Sequence, residues 1–290
     1  MLFLFEKKYK NSYFALFILP LFKKVMATHN IRLLLLLLCG LLISDSIPVQ
    51  AKGKSWKLVF YDDFNSIGKE RFDTAKWIVP DREPYKWSRW ISDSKSVVLR
   101  RNGKLICRAI PNTAFADSAK MLTGAVCTKG KFSFKYGKLE VRMKTNFMAG
   151  NFPAVWLLPE NHGNPYRYGE IDVVEFFGTD QKSHQTIHSH SSFLLGKTEQ
   201  QNSFAQKVTP NQWHIYGMEW TPHYITMYVD GKITGTFLKS TDQQEVEEGQ
   251  WTFDRPYYII LNQSVGDDSW NTPDLQTIYE TEFDWIKVYQ

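Results

Sequence analysis

Cysteine is scarce in this chain of 290 residues, which has only Cys39, Cys107 and Cys127. So few cysteines exclude a disulfide-rich scaffold, and a structural zinc site needs more ligands than they offer. The chain also lacks internal repeats, low-complexity tracts and Pro- or Ser-rich linkers. Hydrophobic residues make up 43% and charged residues 22%, which excludes a disordered or collagenous chain and allows a full-sized core.

The first 51 residues differ from the rest and are typical of a secretory leader. An apolar run from Leu33 to Ile43 is followed by a polar stretch ending in Val49-Gln50-Ala51, with small residues where a signal peptidase cuts. We therefore expect a signal peptide cleaved near Ala51 and a secreted, periplasmic or cell-surface protein.

Two alternatives concern this leader. Residues 1–25 form a second, poorer apolar patch, so Met26 is a candidate for the true start. Cys39 suggests a lipid anchor, but Leu36-Leu37-Leu38 precede it in place of small residues. Lipidation is therefore the less favoured prediction.

Charge is nearly balanced once the leader is set aside. Residues 52–290 carry 29 basic and 28 acidic residues, so the net charge of +5 belongs almost entirely to the leader. A neutral chain lacks the electrostatic attraction that nucleic acid binding requires. We expect one domain over residues 52–290, monomeric, with no transmembrane helix and no nucleic acid partner.

Aromatic residues make up 15% of the chain, and all ten Trp follow residue 51. Strand-like runs recur every 10 to 15 residues, separated by turn sequences such as Arg101-Asn102-Gly103 and Asp230-Gly231, with no long helical period. The pattern predicts an all-β, antiparallel sandwich. The predicted strands are Lys57–Tyr61, Ser96–Arg100, Lys104–Ala109, Gly124–Thr128, Gly137–Lys144, Ala154–Leu158, Glu170–Phe177, Gln185–His190, Trp213–Trp220, Tyr224–Val229, Tyr257–Asn262 and Glu282–Tyr289.

Three carboxylates, Glu170, Asp172 and Glu175, fall within six residues of one predicted strand. Their β-branched and aromatic neighbours indicate burial on at least one side, where an unpaired charge is costly. Strand alternation places Glu170 and Asp172 on one face and Glu175 on the other. A β-bulge at Val173-Val174 returns Glu175 to the common face.

Carboxylates brought together in this way suit glycoside hydrolysis. At a separation of about 5 to 5.5 Å, Glu170 and Glu175 bracket a glycosidic bond, one attacking the sugar carbon while the other protonates the leaving oxygen, with retention of configuration. Asp172 shares a hydrogen bond or a proton with a neighbour, and the set titrates together. The alternatives are a solvated acidic face or a calcium site, which the apolar residues between the acids disfavour.

The chain resembles glycoside hydrolase family 16, in its bulged, laminarinase-like branch. The pattern E-x-D-x-x-E of that branch is met by Glu170, Asp172 and Glu175, and further matching motifs extend over essentially the whole of residues 52–290. They are Trp56–Phe60, Asp63–Asn65, Tyr136–Arg142, Pro153–Pro159, Glu219-Trp220, Tyr228–Gly231 and Asp284–Tyr289.

The resemblance implies a jelly-roll sandwich of two antiparallel sheets with a concave cleft, of the concanavalin A-like or glucanase type. It implies a retaining endo-hydrolase of a β-linked polysaccharide, with no catalytic cofactor. By position, Glu170 is the nucleophile, Asp172 the assisting acid and Glu175 the general acid/base.

The resemblance also implies substrate contacts. Aromatic planes stack on the C–H faces of sugars, which favours tryptophans at a cleft, whereas Trp220 and Trp285 stand in framework motifs and are assigned to the core. For His188, a structural role is the alternative. The candidate substrate-binding residues are Trp156, His188, Asn262, Gln263, Trp270, Trp87 and Trp90.

Many members of the family bind a structural calcium ion away from the catalytic acids. The comparable positions here are Asp63, Gly103 and Asp284. The alternative is that these acids pair with basic side chains. For Cys107 and Cys127, a disulfide is permitted but not required.

The chain departs from the usual β-1,3-glucanase pattern before the acids, at Asn164–Tyr168, and at Val174 where those enzymes have Met. The substrate therefore stays open between a β-glucan and a galactose-containing chain, which makes an endo-β-galactosidase of keratan, mucin-type or agar-type galactans the alternative function. Arg167 is a candidate contact for an anionic group. A transglycosylase and a non-catalytic lectin are less favoured.

Overall fold

The computed structural model describes residues 55–65, 71–84, 86–161, 167–197 and 200–290. The expected leader over residues 1–51, with Met26, Cys39 and Ala51, lies outside the described residues, so export and lipidation stay predictions. Within the described part, no helix has the length and apolarity that a membrane span requires.

The regular structure is almost entirely β, as the spacing of the strand-like runs predicts. The two helices in the described residues have five residues each. The elements are β1 (Leu58–Asp62), β2 (Val98–Arg101), β3 (Lys104–Pro111), β4 (Met121–Cys127), β5 (Ser133–Phe134), β6 (Gly137–Lys144), β7 (Asn151–Pro159), β8 (Gly169–Glu175), β9 (Lys182–Ser189), α1 (His190–Leu194), β10 (Ser203–Lys207), β11 (His214–Trp220), β12 (Tyr224–Val229), β13 (Lys232–Leu238), α2 (Gln243–Glu247), β14 (Tyr257–Val265) and β15 (Tyr279–Tyr289).

The strands form two antiparallel sheets. The front sheet has the order β10-β9-β8-β7-β14-β4, with β5 also paired to β14, and the back sheet has the order β3-β15-β6-β11-β12-β13, with β1 on β15 and β2 on β3. The first half of β4 pairs with β3 and the second half with β14. The two sheets are therefore joined through this strand.

The core lies between the sheets because inward and outward residues alternate along the strands. In β6, Leu139, Val141 and Met143 are buried and the residues between them are partly exposed. Val155 and Leu157 of β7 belong to the same core cluster from the front sheet. Burial of each such side chain contributes roughly 1.5–3 kcal/mol to folding.

The outer face of the front sheet is also partly apolar, which is unusual for an antiparallel sheet face that no second sheet covers. Ile78 and Trp87 pack there, and the backbone of Ile78 bridges to Cys127 of β4. The segment before β2 therefore covers part of this face. The outer cluster consists of Cys127, Ala154, Trp156, Tyr258 and Ile260.

The sequence patterns miss β5, β10 and β13. β10 and β13 are the last strands at the two ends of the order, and most of their side chains are exposed or partly exposed. Strands at sheet edges carry polar residues that block further pairing, and this weakens the apolar signal.

The framework motif predicts a core position for Trp285, and this prediction is wrong. The pairing of β15 with β6 shifts between Phe283 and Trp285, which marks a bulge at Asp284. Because the bulge reverses the alternation, Ile286 points inward and Trp285 lies partly exposed on the outer face of the back sheet, with Lys287 Nζ 4.4 Å from its ring centroid. Trp220 is fully buried, as expected.

The two described cysteines are free thiols. Cys107 lies in the core between the two sheets, whereas Cys127 lies in the cluster on the outer face of the front sheet. The two thiols therefore form no disulfide. Burial raises the pKa of Cys127 to about 11.

Candidate active site

The three acids lie on β8, and its pairing contains the predicted bulge. Against β9, Asp172 pairs with Thr186 and Glu175 pairs with His184, so three steps along β8 match two along β9. The pairing with β7 shifts at the same place. The extra residue therefore lies at Val173-Val174.

The bulge gives all three carboxylates a common face. Both of its valines are fully buried in the core, whereas Glu170 and Glu175 are partly exposed. On β7, the partners of Asp172 and Glu175 are Trp156 and Ala154, which belong to the outer cluster. The acids consequently point away from the hydrophobic interior.

The pKa values of two of these acids are raised. For Asp172, which is 1% exposed, burial is the main cause, followed by the charge of Glu170 and a hydrogen bond with it. For Glu175, burial raises the pKa most, the charges of Asp172 and Glu170 raise it further, and His188 opposes them. Both groups therefore hold a proton to higher pH than a free carboxylic acid does.

The three acids lie in a line along β8, and around Glu170, at one end of this line, lie Tyr168, His188 and Phe193. The Tyr168 hydroxyl donates to Glu170 Oε2, and burial together with the charge of Glu170 raises the tyrosine pKa, so the hydroxyl keeps its proton. His188 is the register partner of Glu170, and its Nε2 lies 3.1 Å from Asp172 Oδ2. Phe193 of α1 stacks on Tyr168 with centroids 4.7 Å apart and meets His188 edge-on at 5.2 Å.

The Glu175 end has a second aromatic group. His184, the register partner of Glu175, contacts Phe177 at 4.7 Å between ring centroids. Trp270 is 45% exposed and meets Phe177 and Phe152 edge-on at 5.6 and 5.0 Å. An exposed indole on the sheet face that carries the acids suits stacking on a sugar ring.

Trp156 lies between the two ends, next to Asp172. Its Nε1 donates to Asn262 Oδ1 at 2.8 Å, and Trp87 packs on it edge-on at 4.9 Å. Trp156 is only 7% exposed, so Asn262 and Trp87 fix its orientation within the outer face. The structure thus brings Trp156, Asn262, Trp87, His188 and Trp270 to the same face as the acids.

A protein-family model described as Glycosyl hydrolases family 16 matches residues 92–287. The chain belongs to this family. The expected resemblance to glycoside hydrolase family 16 is therefore confirmed.

Individual relatives of this family 16 chain differ in the glycans that their names specify. The keratan-sulfate endo-1,4-beta-galactosidase of Sphingobacterium multivorum is 30% identical over 81% of this chain, which spans only 55% of that relative's length. The laminarinase structure from Rhodothermus marinus has a TM-score of 0.70 and 26% identity, covering 81% of this chain and 98% of that one, and it confirms the jelly-roll sandwich. A further structure comes from work on endo-acting O-glycanases with which human gut microbiota initiate mucin breakdown; it has a TM-score of 0.68 and 28% identity, covering 80% and 98%.

Two of the predicted substrate contacts lie elsewhere in this family 16 chain. Gln263 follows Asn262 on β14, and alternation turns it inward, where it is 0% exposed and its Nε2 donates to Asn151 Oδ1 at 2.7 Å. Trp90 packs against a separate cluster, with the Arg89 guanidinium 4.3 Å from its ring. Neither residue shares the face of the acids.

Arg167, the candidate contact for an anionic group, is engaged within the protein. Its Nη2 lies 2.6 Å from Asp254 Oδ2. An anionic substituent would therefore compete with this carboxylate for the guanidinium.

The predicted calcium ligands of this family 16 chain do not fit a metal ion. Lys104 Nζ lies 2.5 Å from Asp284 Oδ1, and Arg142 pairs with Oδ2 of the same carboxylate. Asp63 Oδ1 accepts a hydrogen bond from a backbone N–H of its own loop, and Gly103 occupies a turn with φ of 68°. Because both oxygens of Asp284 already face cations, the pairing with bases is the better description.

One group of side chains in the described part of the chain has metal-ligand spacing. It consists of Glu170, Asp172 and His188, whose ligand atoms lie within 4.8 Å of one another. The raised pKa of the buried Asp172 favours a proton at this place.

Sequence reasoning missed Tyr168, His184 and Phe193. Strand alternation offered a signal for the first two, because Tyr168 lies two residues before the first acid and His184 four residues before His188. Phe193 had no such signal, since α1 begins at His190 and ends the alternation.

Proposed function

We propose that this chain is a retaining endo-β-glycanase that cleaves internal β-linkages of a polysaccharide or long glycan by double displacement. The observation that carries the proposal is the bulged β8, which presents three carboxylates, two of them with raised pKa, between two aromatic groups on one sheet face. Membership of family 16 supports the same chemistry.

In the first step, the Glu170 carboxylate attacks the anomeric carbon while Glu175 gives its proton to the leaving oxygen. Burial and the neighbouring charges keep Glu175 protonated, as a general acid must be. Tyr168 and Asp172 donate hydrogen bonds to Glu170 and orient it.

In the second step, water breaks the sugar ester formed on Glu170. Esterification removes the Glu170 charge, which is one of the causes of the raised pKa of Glu175. The pKa of Glu175 therefore falls when the proton has been given away, and the carboxylate takes a proton from the attacking water. Two inversions leave the released sugar in the β configuration.

The aromatic groups at both ends of the acids support internal cleavage. Tyr168 and Phe193 lie beside Glu170, and Trp270 and Phe177 lie towards Glu175. Each group offers apolar planes for sugars on one side of the scissile bond, so the substrate extends in both directions.

The substrate proposal covers β-glucans and galactose-containing chains. Val174, one departure from the glucanase pattern, is buried in the core and cannot touch a sugar, whereas Tyr168, at the end of the departing segment before the acids, contacts Glu170. An endo-β-galactosidase acting on keratan, mucin-type or agar-type galactans is the second candidate, because the keratan-sulfate relative and the O-glycanase structure favour it.

We further propose that the protein is exported and acts as a monomer. The apolar run and small-residue site in residues 1–51 support export to the periplasm, the cell surface or the medium.

The test compares the wild type with Glu170→Gln and Glu175→Gln on keratan, mucin glycans, agarose, laminarin and mixed-linkage glucan. Each variant should fold and lose at least about 1,000-fold in turnover. NMR of early products should show the β-anomer first. An initial α-anomer, or near wild-type rates in either variant, contradicts the mechanism; binding without any turnover indicates a lectin, and longer products indicate a transglycosylase.

A further inference from the structure

A buried glutamine lies directly behind the bulge. Gln185 of β9 stands between Thr186 and His184, the partners of Asp172 and Glu175, and so faces the extra residue of β8. It points into the core and is 1% exposed. Its Nε2 donates to the carbonyl oxygen of Val173 at 2.8 Å.

The Val173 carbonyl needs such a partner. A bulge interrupts the ladder of backbone hydrogen bonds and leaves the extra residue unpaired. Val173 is fully buried, so water does not reach it. A buried carbonyl without a donor is unfavourable, and the Gln185 amide supplies the donor that the neighbouring strand cannot.

Gln185 is itself held by the back sheet. The Thr234 hydroxyl donates to Gln185 Oε1, and Gln185 Nε2 also lies 3.4 Å from the carbonyl oxygen of Tyr228. The amide oxygen and nitrogen thus both have partners, which fixes the direction in which the side chain points. The bulge is tied across the core to β12 and β13.

We propose that Gln185 is a positioning residue that holds the bulge and thereby keeps Glu175 on the catalytic face. It touches no substrate and acts only through the backbone of β8. Without its donor, β8 relaxes around Val173, which displaces Glu175 after the bulge more than Glu170 and Asp172 before it. This inference rests on the proposed role of Glu175 as general acid.

A leaving-group comparison tests the inference, using Gln185→Met, which keeps an unbranched side chain of similar length without a donor. The probes are two aryl β-glycosides of an oligosaccharide that the wild type cleaves: a 2,4-dinitrophenyl glycoside, whose leaving group needs no proton, and a phenyl glycoside, which needs one. We expect kcat/KM to fall about 10- to 100-fold for the phenyl glycoside and less than about 3-fold for the dinitrophenyl glycoside.

The matched control is Gln263→Met. Gln263 is also a fully buried glutamine, but its hydrogen bonds go to Asn151 and Thr281 and not to the bulge. The Gln263→Met variant should lose stability, but any loss of kcat/KM relative to the wild type should be the same for both probes. If Gln185→Met is unchanged, or loses equally on both probes, the inference is wrong.

A second variant covers the case in which Gln185→Met does not fold. Thr234→Val removes only the hydroxyl that orients the Gln185 amide. Relative to the wild type, it should also lose more kcat/KM on the phenyl glycoside than on the dinitrophenyl glycoside, but by a smaller factor than Gln185→Met. If the folded Thr234→Val variant loses the same fraction of wild-type kcat/KM on both probes, the inference is also overturned. If Glu175→Gln shows no leaving-group dependence, the proposed function fails at its general acid, whatever the Gln185 variants do.

Discussion

Replacing Glu175 with glutamine should stabilise the fold at neutral and alkaline pH while it abolishes turnover. Burial and the charges of Asp172 and Glu170 raise the pKa of Glu175 in the folded protein. Its contribution to stability is therefore complete below the unfolded pKa, near 4.3, and is lost as the pH rises through the folded pKa. Glutamine stays neutral and suffers no such loss.

The size of the effect follows from the position of the group. Active sites are often destabilised for the sake of activity, and single stabilising substitutions commonly add about 0.5–2 kcal/mol. For a domain of this size, 1 kcal/mol shifts Tm by about 2–4 °C. We expect a gain of about 1–8 °C at pH 8 that shrinks towards zero at pH 4, because Glu175 is then largely protonated in the unfolded chain as well as in the folded protein.

Calorimetry or circular dichroism at both pH values measures this gain. The control is Glu282→Gln on the back sheet, where Glu282 Oε1 pairs with Lys144 Nζ at 2.6 Å. Neutralising that carboxylate removes an attraction, so its Tm should stay the same or fall slightly. A Glu175→Gln variant that melts at or below the wild-type temperature at pH 8, or gains equally at both pH values, would refute the argument.

Two further predictions concern the Tyr168 hydroxyl beside Glu170 and the expected calcium site at Asp284. Tyr168→Phe keeps the ring that stacks on Phe193 but removes the hydrogen bond to Glu170, so kcat/KM should fall about 10- to 100-fold, since a bond to a charged group contributes about 1.5–3 kcal/mol. Tyr224→Phe, which removes a 2.9 Å bond to a glutamate of the back sheet, is the control, and equal rates in both variants would exclude a role for the Tyr168 hydroxyl. Calcium and EDTA should leave Tm unchanged, because cations already pair with Asp284; a rise in Tm with calcium would restore the metal site.

Charged residues mark both bulges in the sequence, but only the bulge in β8 was predicted. The bulge in β8 could be inferred because Glu175, an acid, would otherwise point into the core. The bulge at Asp284 was missed, although unbroken alternation from Phe283 through Trp285 would turn Lys287 inward and the apolar Ile286 and Val288 outward. A face assignment from alternation holds only until the next irregularity in pairing.

Two contacts near the acids could not be predicted from the sequence patterns. Phe193 lies on a helix of five residues and contacts Tyr168 and His188 beside Glu170, and its position depends on where β9 ends. The contact of Gln185 with the bulge joins side chain to backbone across strands, so neither spacing nor composition indicates it. The strands and the common face of the acids, by contrast, follow from local alternation and could be predicted, and the two-sheet architecture was implied by the family motifs.

The one extra residue of β8 also bears on how such a gene can change. Loss of a single codon for Val173 or Val174 would let β8 match its neighbours without interruption and would turn the last carboxylate inward. An in-frame deletion of three nucleotides would thus convert the enzyme into an inert scaffold in one genetic step, whereas exchanging either valine for another apolar residue preserves the spacing. Descendants of this gene should tolerate substitution here far better than a change in length.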